Sequence, residues 1–296
     1  MLSQMIIART VPNNNVPPTV FDCKPDFGEF FKRYAWVSYQ GKGDKDMILY
    51  FSSTGNCKHV AERVAEALGD RAESVLTSGD SIQLKKGEYF GIITPTYFVE
   101  LPTIIREFLN RVTIEAEGDN YVFVIATYGT TPGCTGADAK KLLKSKGVTM
   151  NGAFSVKMPD NWTVWFDLSD PQKVAGQNEK AELEMDRVIE RIRNKEQGNH
   201  MSLRLPYFVR FFSDIAFGFA RKTKNLHLED GCIGCGLCAS KCPVKAIEMR
   251  DGKPVWVKER CALCLGCLHH CPKFAIQYGG GATRKHGQYR NPHTNI

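Results

Sequence analysis

Eight cysteines in the C-terminal third carry the clearest chemistry in this chain. Cys232, Cys235, Cys238 and Cys242 follow the spacing C-x2-C-x2-C-x3-C-P, and Cys261, Cys264, Cys267 and Cys271 repeat it at an offset of 29 residues. Pro243, Ala246 and Ile247 recur in the same way as Pro272, Ala275 and Ile276. Three thiolates on one tight loop, with a fourth on the outgoing helix, suit a 4Fe–4S cubane. In the two-cluster arrangement the fourth cysteine serves the other cluster. The expected sets are therefore Cys232, Cys235, Cys238 and Cys271 for one cluster, and Cys261, Cys264, Cys267 and Cys242 for the second. The competing reading is structural zinc, which usually takes paired C-x2-C knuckles with a longer gap. Gly234, Gly236 and Gly266 leave room for backbone N–H groups to approach sulfur. His269 and His270, between two ligands, read either as groups that tune the cluster potential with pH or as exposed loop residues without a role, the second reading being favoured.

A second constellation lies near the start. In "YFSSTGNCKHVAE" (50–62), apolar Met47-Ile48-Leu49 precedes a polar turn, and Val60, Ala61, Val64, Ala65 and Leu68 follow at helical spacing. The turn lacks the glycines and lysine of a P-loop and the three glycines of the dinucleotide fingerprint. Its hydroxyls at Ser52, Ser53 and Thr54, Gly55, the amide of Asn56 and a helix N-terminus suit a phosphate dianion.

The elements that position these groups follow from pattern. Apolar runs near 47–51, 73–76, 89–94, 121–127 and 153–157 alternate with helical patterns near 57–69, 101–112, 134–147 and 177–196. Such alternation predicts an α/β fold, a doubly wound parallel five-stranded sheet of order 2-1-3-4-5. Ligands of such sheets sit outside the carboxyl ends of the strands, at the switch point, where the Ser52–Cys57 turn falls. The loops "TPTYFVELP" (94–102) and "ATYGTTPGCTG" (126–136) end the third and fourth strands. Beyond residue 225, Cys, Gly and Pro dominate, and "MRDGKPVW" reads as a hairpin turning at Asp251-Gly252. The expected organisation is a poorly patterned 1–46, an α/β domain over 47–200, a connecting helix over 201–224, a small α+β two-cluster domain over 225–280 and a tail over 281–296. The aromatic segment 203–222 fits either a helix docked between domains or a membrane-surface helix, and Arg210 and Asp214 on its apolar face favour docking.

The cysteine repeat closely resembles the bacterial two-cluster ferredoxins. The first loop resembles that of flavodoxins, which bind the phosphate of FMN with Ser/Thr-x-Thr-Gly-Asn-Thr; here Cys57 stands in place of the final hydroxyl. That resemblance implies ring contacts from Pro95, Thr96, Tyr97 and Phe98 after the third strand, and from Thr127, Tyr128 and Gly129 after the fourth. Over about residues 47–292, "YFSSTGNC", "TPTYFVELP", "TYGTTPG", "MPDNW", both cluster motifs and "RKHGQYRNP" occur in the order found in a family of flavodoxin–ferredoxin fusion proteins of anaerobic microbes. The resemblance implies FMN and two 4Fe–4S clusters. It implies electron transfer to redox partner proteins, or to a small organic acceptor if the chain is a reductase. A metal-stabilised interaction module without redox chemistry is the remaining reading. For "MPDNW", Asn161 and Trp162 either border the flavin or belong to a turn capped by Asp160 and Asn161.

Composition excludes some classes. The formal charge of +7 invites nucleic acid, but no Lys/Arg block appears, and eight thiolates outweigh two dicationic cluster cores. No apolar run reaches the roughly 18 residues of a membrane span. Eleven cysteines without an export signal point to metal ligation in the cytoplasm. Cys134 reads as a buried free thiol, and Cys23 has no partner by spacing. Residues 1–46 fall outside the family match and read either as an extension or as an upstream start. If the two cofactors sat far apart, a partner protein or a homodimer would have to close the gap.

Overall fold

Met47–Tyr50 (β1) emerges buried on both faces, which is why it reads as an apolar run rather than an alternation. The structure is a computed structural model that describes residues 47–203 and 205–296; the expectations for residues 1–46, Cys23 included, lie outside the described residues. After β1 come α1 (Asn56–Leu68), β2 (Arg71–Ser74), β3 (Ser81–Leu84), β4 (Tyr89–Pro95), α2 (Thr103–Arg111), β5 (Thr113–Ala116), β6 (Tyr121–Tyr128), α3 (Thr135–Ser145), β7 (Gly152–Lys157), α4 (Pro171–Arg193) and β8 (Gly198–Asn199). The main sheet runs β2-β1-β4-β6-β7-β8, every pair parallel. Its first five strands keep the order predicted from sequence, and β8 adds a two-residue edge. Alternate side chains serve opposite faces: Leu49, Ile92 and Val124 pack with α2 and α3, while Ile48, Ile93 and Ile125 pack with α1 and α4.

Two features escaped the pattern. β3 and β5 form a separate parallel pair, each too short to stand out from its surroundings. Helix α4 begins before the expected 177, because Asp170 caps it, accepting from the N–H groups of Gln172 (2.9 Å) and Lys173 (3.2 Å), with Pro171 in the first turn.

The linking helix α5 (Val209–Ala220) is followed by β9 (Leu226–Leu228), α6 (Leu237–Ser240), β10 (Ile247–Arg250), β11 (Lys253–Trp256), α7 (Gly266–His269), β12 (Ile276–Tyr278) and α8 (Ala282–His286). β10 and β11 form the expected hairpin, with left-handed Asp251 and Gly252 at its turn. β9 pairs antiparallel with β12. Leu226, Leu263, Leu265, Leu268, Ile276 and Tyr278 make this lobe's core, and Phe217 of α5 joins it.

Helix α5 is docked on one side only. Phe217 is buried, Ser213 Oγ donates to the Phe98 carbonyl, and Arg210 reaches Asp138 (2.6 Å). Phe208, Phe211, Phe212, Ile215 and Phe219 all remain exposed, so interdomain docking accounts for only part of the aromatic segment.

The latch at Arg210 crowds three carboxylates around two guanidiniums. Asp138 takes both Arg106 and Arg210 at 2.6 Å; Glu100 shares Arg106 (2.7 Å), and Asp214 lies 3.5 Å from Arg210. Glu100 is the surplus acid. Burial, then the hydrogen bond with Asp214, push its pKa from 4.5 up to about 7 against the pull of Arg106. A carboxyl whose pKa rises on folding binds its proton more tightly folded than unfolded, so its contribution to stability falls as pH rises between those values. The urea midpoint of the wild type should therefore carry a downward component between pH 4.5 and 7 that Glu100→Gln lacks. Parallel profiles for the two proteins would show that the Glu100 pKa is the same folded and unfolded.

Candidate functional site

Four loops at the carboxyl ends of β1, β4, β6 and β7 surround a cavity of about 530 Å³, closed on the far side by α5 and by Leu263–Leu265 of the cysteine lobe. β1 and β4 flank the topological switch point. Of the residues expected at phosphate or ring, all line this cavity except Gly55. Gly55 has φ +103°, and a Cβ there would approach the Asn291 side chain to 2.8 Å, so chain packing itself demands glycine.

At the phosphate end, Gly55 gives the α1 N-terminus no side-chain cap, and the first turn has no acidic residue. The leading N–H groups of α1 are thus open to an anion. Ser52 Oγ accepts from Gly55 N (3.1 Å), Ser53 Oγ meets the Tyr97 hydroxyl (3.3 Å), and Thr54 Oγ1 accepts from Asn161 Nδ2 (2.8 Å). Among the described residues no Lys or Arg lines the cavity, and N–H dipoles and hydroxyls are the groups there that suit an anion. Asn56 lines the cavity; its Oδ1 takes the Tyr289 hydroxyl (2.8 Å) and Asn291 Nδ2 (3.1 Å), and its Nδ2 donates to Pro159 O (3.4 Å). Cys57 Sγ lies 3.1 Å from Thr127 Oγ1, and burial pushes its pKa up to about 12, so a neutral thiol stands where the pattern has a hydroxyl.

At the ring end, Tyr97 is held by Ser53, and burial raises its pKa well above 10. Phe98 lies edge-on to Trp162 (5.6 Å) and beside Phe217 (5.3 Å). Phe98 and Val99 are both left-handed, φ 48° and 58°, and the Cys134 N–H holds the Val99 carbonyl (2.7 Å). Gly129 approaches Asp160 so closely that a Cβ would lie 2.2 Å from its carboxylate. Asn161 and Trp162 line the cavity, while Asp160 accepts from Trp162 N (3.1 Å); the segment both caps its own turn and borders the site. Cys134 is buried and lies outside the lining.

The cysteines enclose two smaller voids. Cys242, Cys261, Cys264 and Cys267 line one of about 30 Å³; Cys232, Cys235, Cys238 and Cys271 line one of about 20 Å³. Each triplet is thus joined by the fourth cysteine of the other copy. The copies match in backbone: Gly234 N and Leu263 N point to the sulfurs of Cys232 (3.5 Å) and Cys261 (3.3 Å), and Ala246 N and Ala275 N to those of Cys242 and Cys271 (both 3.2 Å). Among the described residues no three His, Cys, Asp or Glu side chains gather closely enough for a single metal ion. Burial raises the pKa of Cys264 to about 12 and that of Cys267 well above 9, so the cationic core of a cluster has to offset desolvation of their thiolates.

Leu263, Cys264 and Leu265 line both the large cavity and the second cysteine void. Hydrogen bonds fix this wall. His269 Nε2 donates to Asn161 O (2.9 Å) while its Nδ1 accepts from Tyr289 N (3.1 Å), and His270 Nε2 donates to Ser53 O (2.9 Å). Both rings are buried, which overturns their reading as exposed loop residues. Burial lowers His269 to about 4, which keeps the ring neutral with its proton on Nε2. The tail adds Asn291 N to Thr54 O (2.7 Å) and His286 Nδ1 to Thr163 O (2.7 Å). The motif "RKHGQYRNP" was visible in the sequence, but nothing local says that it returns to the first loop.

Two family models match the two parts of this arrangement. Residues 47–175 match the family model of a flavodoxin domain, and residues 231–276 that of a 4Fe-4S dicluster domain. A ferredoxin of Pyrobaculum islandicum is 37% identical over 67 residues, 21% of this chain and 63% of that protein. An uncharacterized polyferredoxin-like protein of Methanocaldococcus jannaschii is 42% identical over 62 residues, 17% of this chain and 37% of that one. The matches thus span 37% and 63% of these curated relatives. A solved flavodoxin from the domain Archaea aligns over 50% of this chain and 99% of its own, at 12% identity and TM-score 0.30. An uncapped helix N-terminus among hydroxyls and aromatic walls fits FMN, and two four-cysteine voids fit 4Fe–4S clusters. The chain is a flavodoxin–ferredoxin fusion, an iron–sulfur flavoprotein with an FMN-type domain followed by a two-cluster 4Fe-4S domain.

Proposed function

We propose that this chain relays electrons between external redox partners by way of its two clusters and FMN. When bound, the clusters exchange electrons singly and FMN exchanges one or two. The observation that carries the reading is the wall Leu263–Cys264–Leu265, common to the FMN cavity and to a cluster void. Cys242, Cys261, Cys264 and Cys267 hold the cluster beside FMN. Cys232, Cys235, Cys238 and Cys271 hold the other, whose loop exposes Cys235 and Ile233 to a protein partner. Ser52, Ser53, Thr54 and the first turn of α1 hold the phosphate; Tyr97, Phe98, Tyr128 and Gly129 border the ring. Because both sites lie within one chain, no second copy is needed to close a gap. Among the described residues no helix is long and apolar enough to cross a membrane.

A reductase of a small organic acceptor is favoured by one observation: Trp165 and Phe212 line the FMN cavity and are largely exposed, which gives the cavity an aromatic mouth. Stoichiometric reoxidation of the reduced protein by such an acceptor, without a partner protein, would select that reading.

Anaerobically purified full chain should contain FMN and about eight iron atoms. In Cys264→Ala, iron should fall by about half while FMN stays bound, and flavin bleaching fed by a reduced one-electron carrier should slow about tenfold or more. Full iron and an unchanged rate in that variant would sink the relay.

The tail and Gly129 make a second test. Asn291→Ala removes the amide bond to Asn56 behind the phosphate loop, worth about 0.5–1.5 kcal/mol, so FMN should bind roughly 2–12-fold more weakly. Gly129→Ala must displace Asp160 and should weaken FMN further. Flavin fluorescence quenching reads both; wild-type affinity in both variants would place FMN elsewhere.

A further inference from the structure

Helix α5 carries a feature that an electron relay does not require. Phe208, Phe211, Ile215 and Phe219 fall at spacings of three and four on one helical face and are 48–68% exposed; Phe212, which also lines the cavity, stands at the edge of that face. Large apolar side chains of this kind present on the order of 500 Å² when so exposed, which is the size of the largest, usually functional, patch on a monomer.

A basic edge adjoins the C-terminal end of this stripe. Thr223 N donates to Glu259 O (2.8 Å) and Cys261 N to Arg221 O (2.9 Å), which brings Arg221, Lys222 and Lys224 beside Lys258 and Arg260. Arg221 turns onto Phe217 and Cys261 O, and Lys258 onto Val244 O, so Lys222, Lys224 and Arg260 carry the outward edge. Lys222 Nζ lies over the Phe219 ring at 5.2 Å, so its stem runs along the stripe. Glu259 is the acid among these five cations. On the helix itself the acid is Asp214, which pairs with Arg210.

That charge pattern decides the occupant. A second copy meeting helix to helix would cover the stripe but bring to the basic edge, from α5 itself, only Asp214, which Arg210 already holds. An anionic bilayer answers both features: aromatic side chains enter the boundary between headgroups and acyl chains, and Lys and Arg sit at phosphate level. We propose that the outer face of α5, with the 221–224 and 258–260 edge, docks this protein on an anionic lipid surface. The helix lies in the plane of that surface and does not cross it. Its inner face is a wall of the FMN cavity, through Val209, Ser213 and Ala216, so docking holds that wall against the lipid.

Flotation of the full, cofactor-loaded chain tests this with phosphatidylcholine vesicles, pure or containing about one third phosphatidylglycerol. The wild type should bind the anionic vesicles at least about tenfold better, and less well as salt rises. Phe211→Ser with Ile215→Ser should lose about tenfold or more on both vesicle types. Lys222→Glu with Lys224→Glu should lose about tenfold or more on anionic vesicles only. Unchanged flavin and cluster absorbance certifies that each variant is folded. A wild type that floats with neither vesicle overturns the proposal. So does a sedimentation-velocity dimer that the Phe211/Ile215 variant dissociates, which would assign the stripe to a second copy.

Discussion

The loop Cys261–Cys267 has to serve two cavities at once, and the rest of the structure is arranged around that requirement. Cys264 lines a cysteine void on one side and the FMN cavity on the other. A free ferredoxin lobe could present this loop anywhere. Here it must sit at the carboxyl ends of β1 and β4, where the sheet opens. The phosphate loop, the Tyr97–Phe98 turn and the Asn161–Trp162 segment are therefore partners of the cysteine lobe as well as walls of a flavin site.

Buried polar groups enforce the placement. Loops at a switch point leave carbonyls that cannot all pair within the sheet, and a buried carbonyl without a donor is costly. Asn161 O and Ser53 O find theirs on His269 and His270, and Thr54 O on Asn291 N. His269 is fixed at both nitrogens, which leaves one tautomer and no reason to charge. Since donors from the cysteine lobe and from the tail complete the first domain's loops, the large cavity is finished only when the far end of the chain is in place.

Much of this was legible because the signals were local. The cysteine spacing repeats within one segment, and the strand order follows from alternating apolar runs. The loops Ser52–Cys57, Pro95–Phe98 and Thr127–Gly129 lie where strand ends put them. What stayed hidden depends on distant partners. The short strands β3 and β5 become regular only by pairing across an intervening helix. His269 and His270 sit in a cysteine-rich loop whose exposure depends on what docks there. Asn56 was legible as a residue of the first loop, but the partners that hold its side chain, Tyr289 and Asn291, lie more than 230 residues away. The apolar face of α5 pointed to docking, and it took the structure to show that its larger side faces away from the protein.

The two copies of the cysteine loop show how one backbone was adapted to a second task. Positions 234 and 236 are glycines in the first copy; their equivalents at the repeat offset are Leu263 and Leu265. All four are left-handed, φ 70° and 74° against 54° and 51°. Glycine takes that conformation freely, whereas leucine loses about 1–2 kcal/mol at each site. The second copy tolerates this because both leucines are almost fully buried, and burying such a side chain returns about 1.5–3 kcal/mol. Glycines there would hold sulfur equally well and leave a gap between the large cavity and the cysteine void that water could enter. The strained leucines therefore mark the loop that walls the large cavity, and the relaxed glycines the loop that does not.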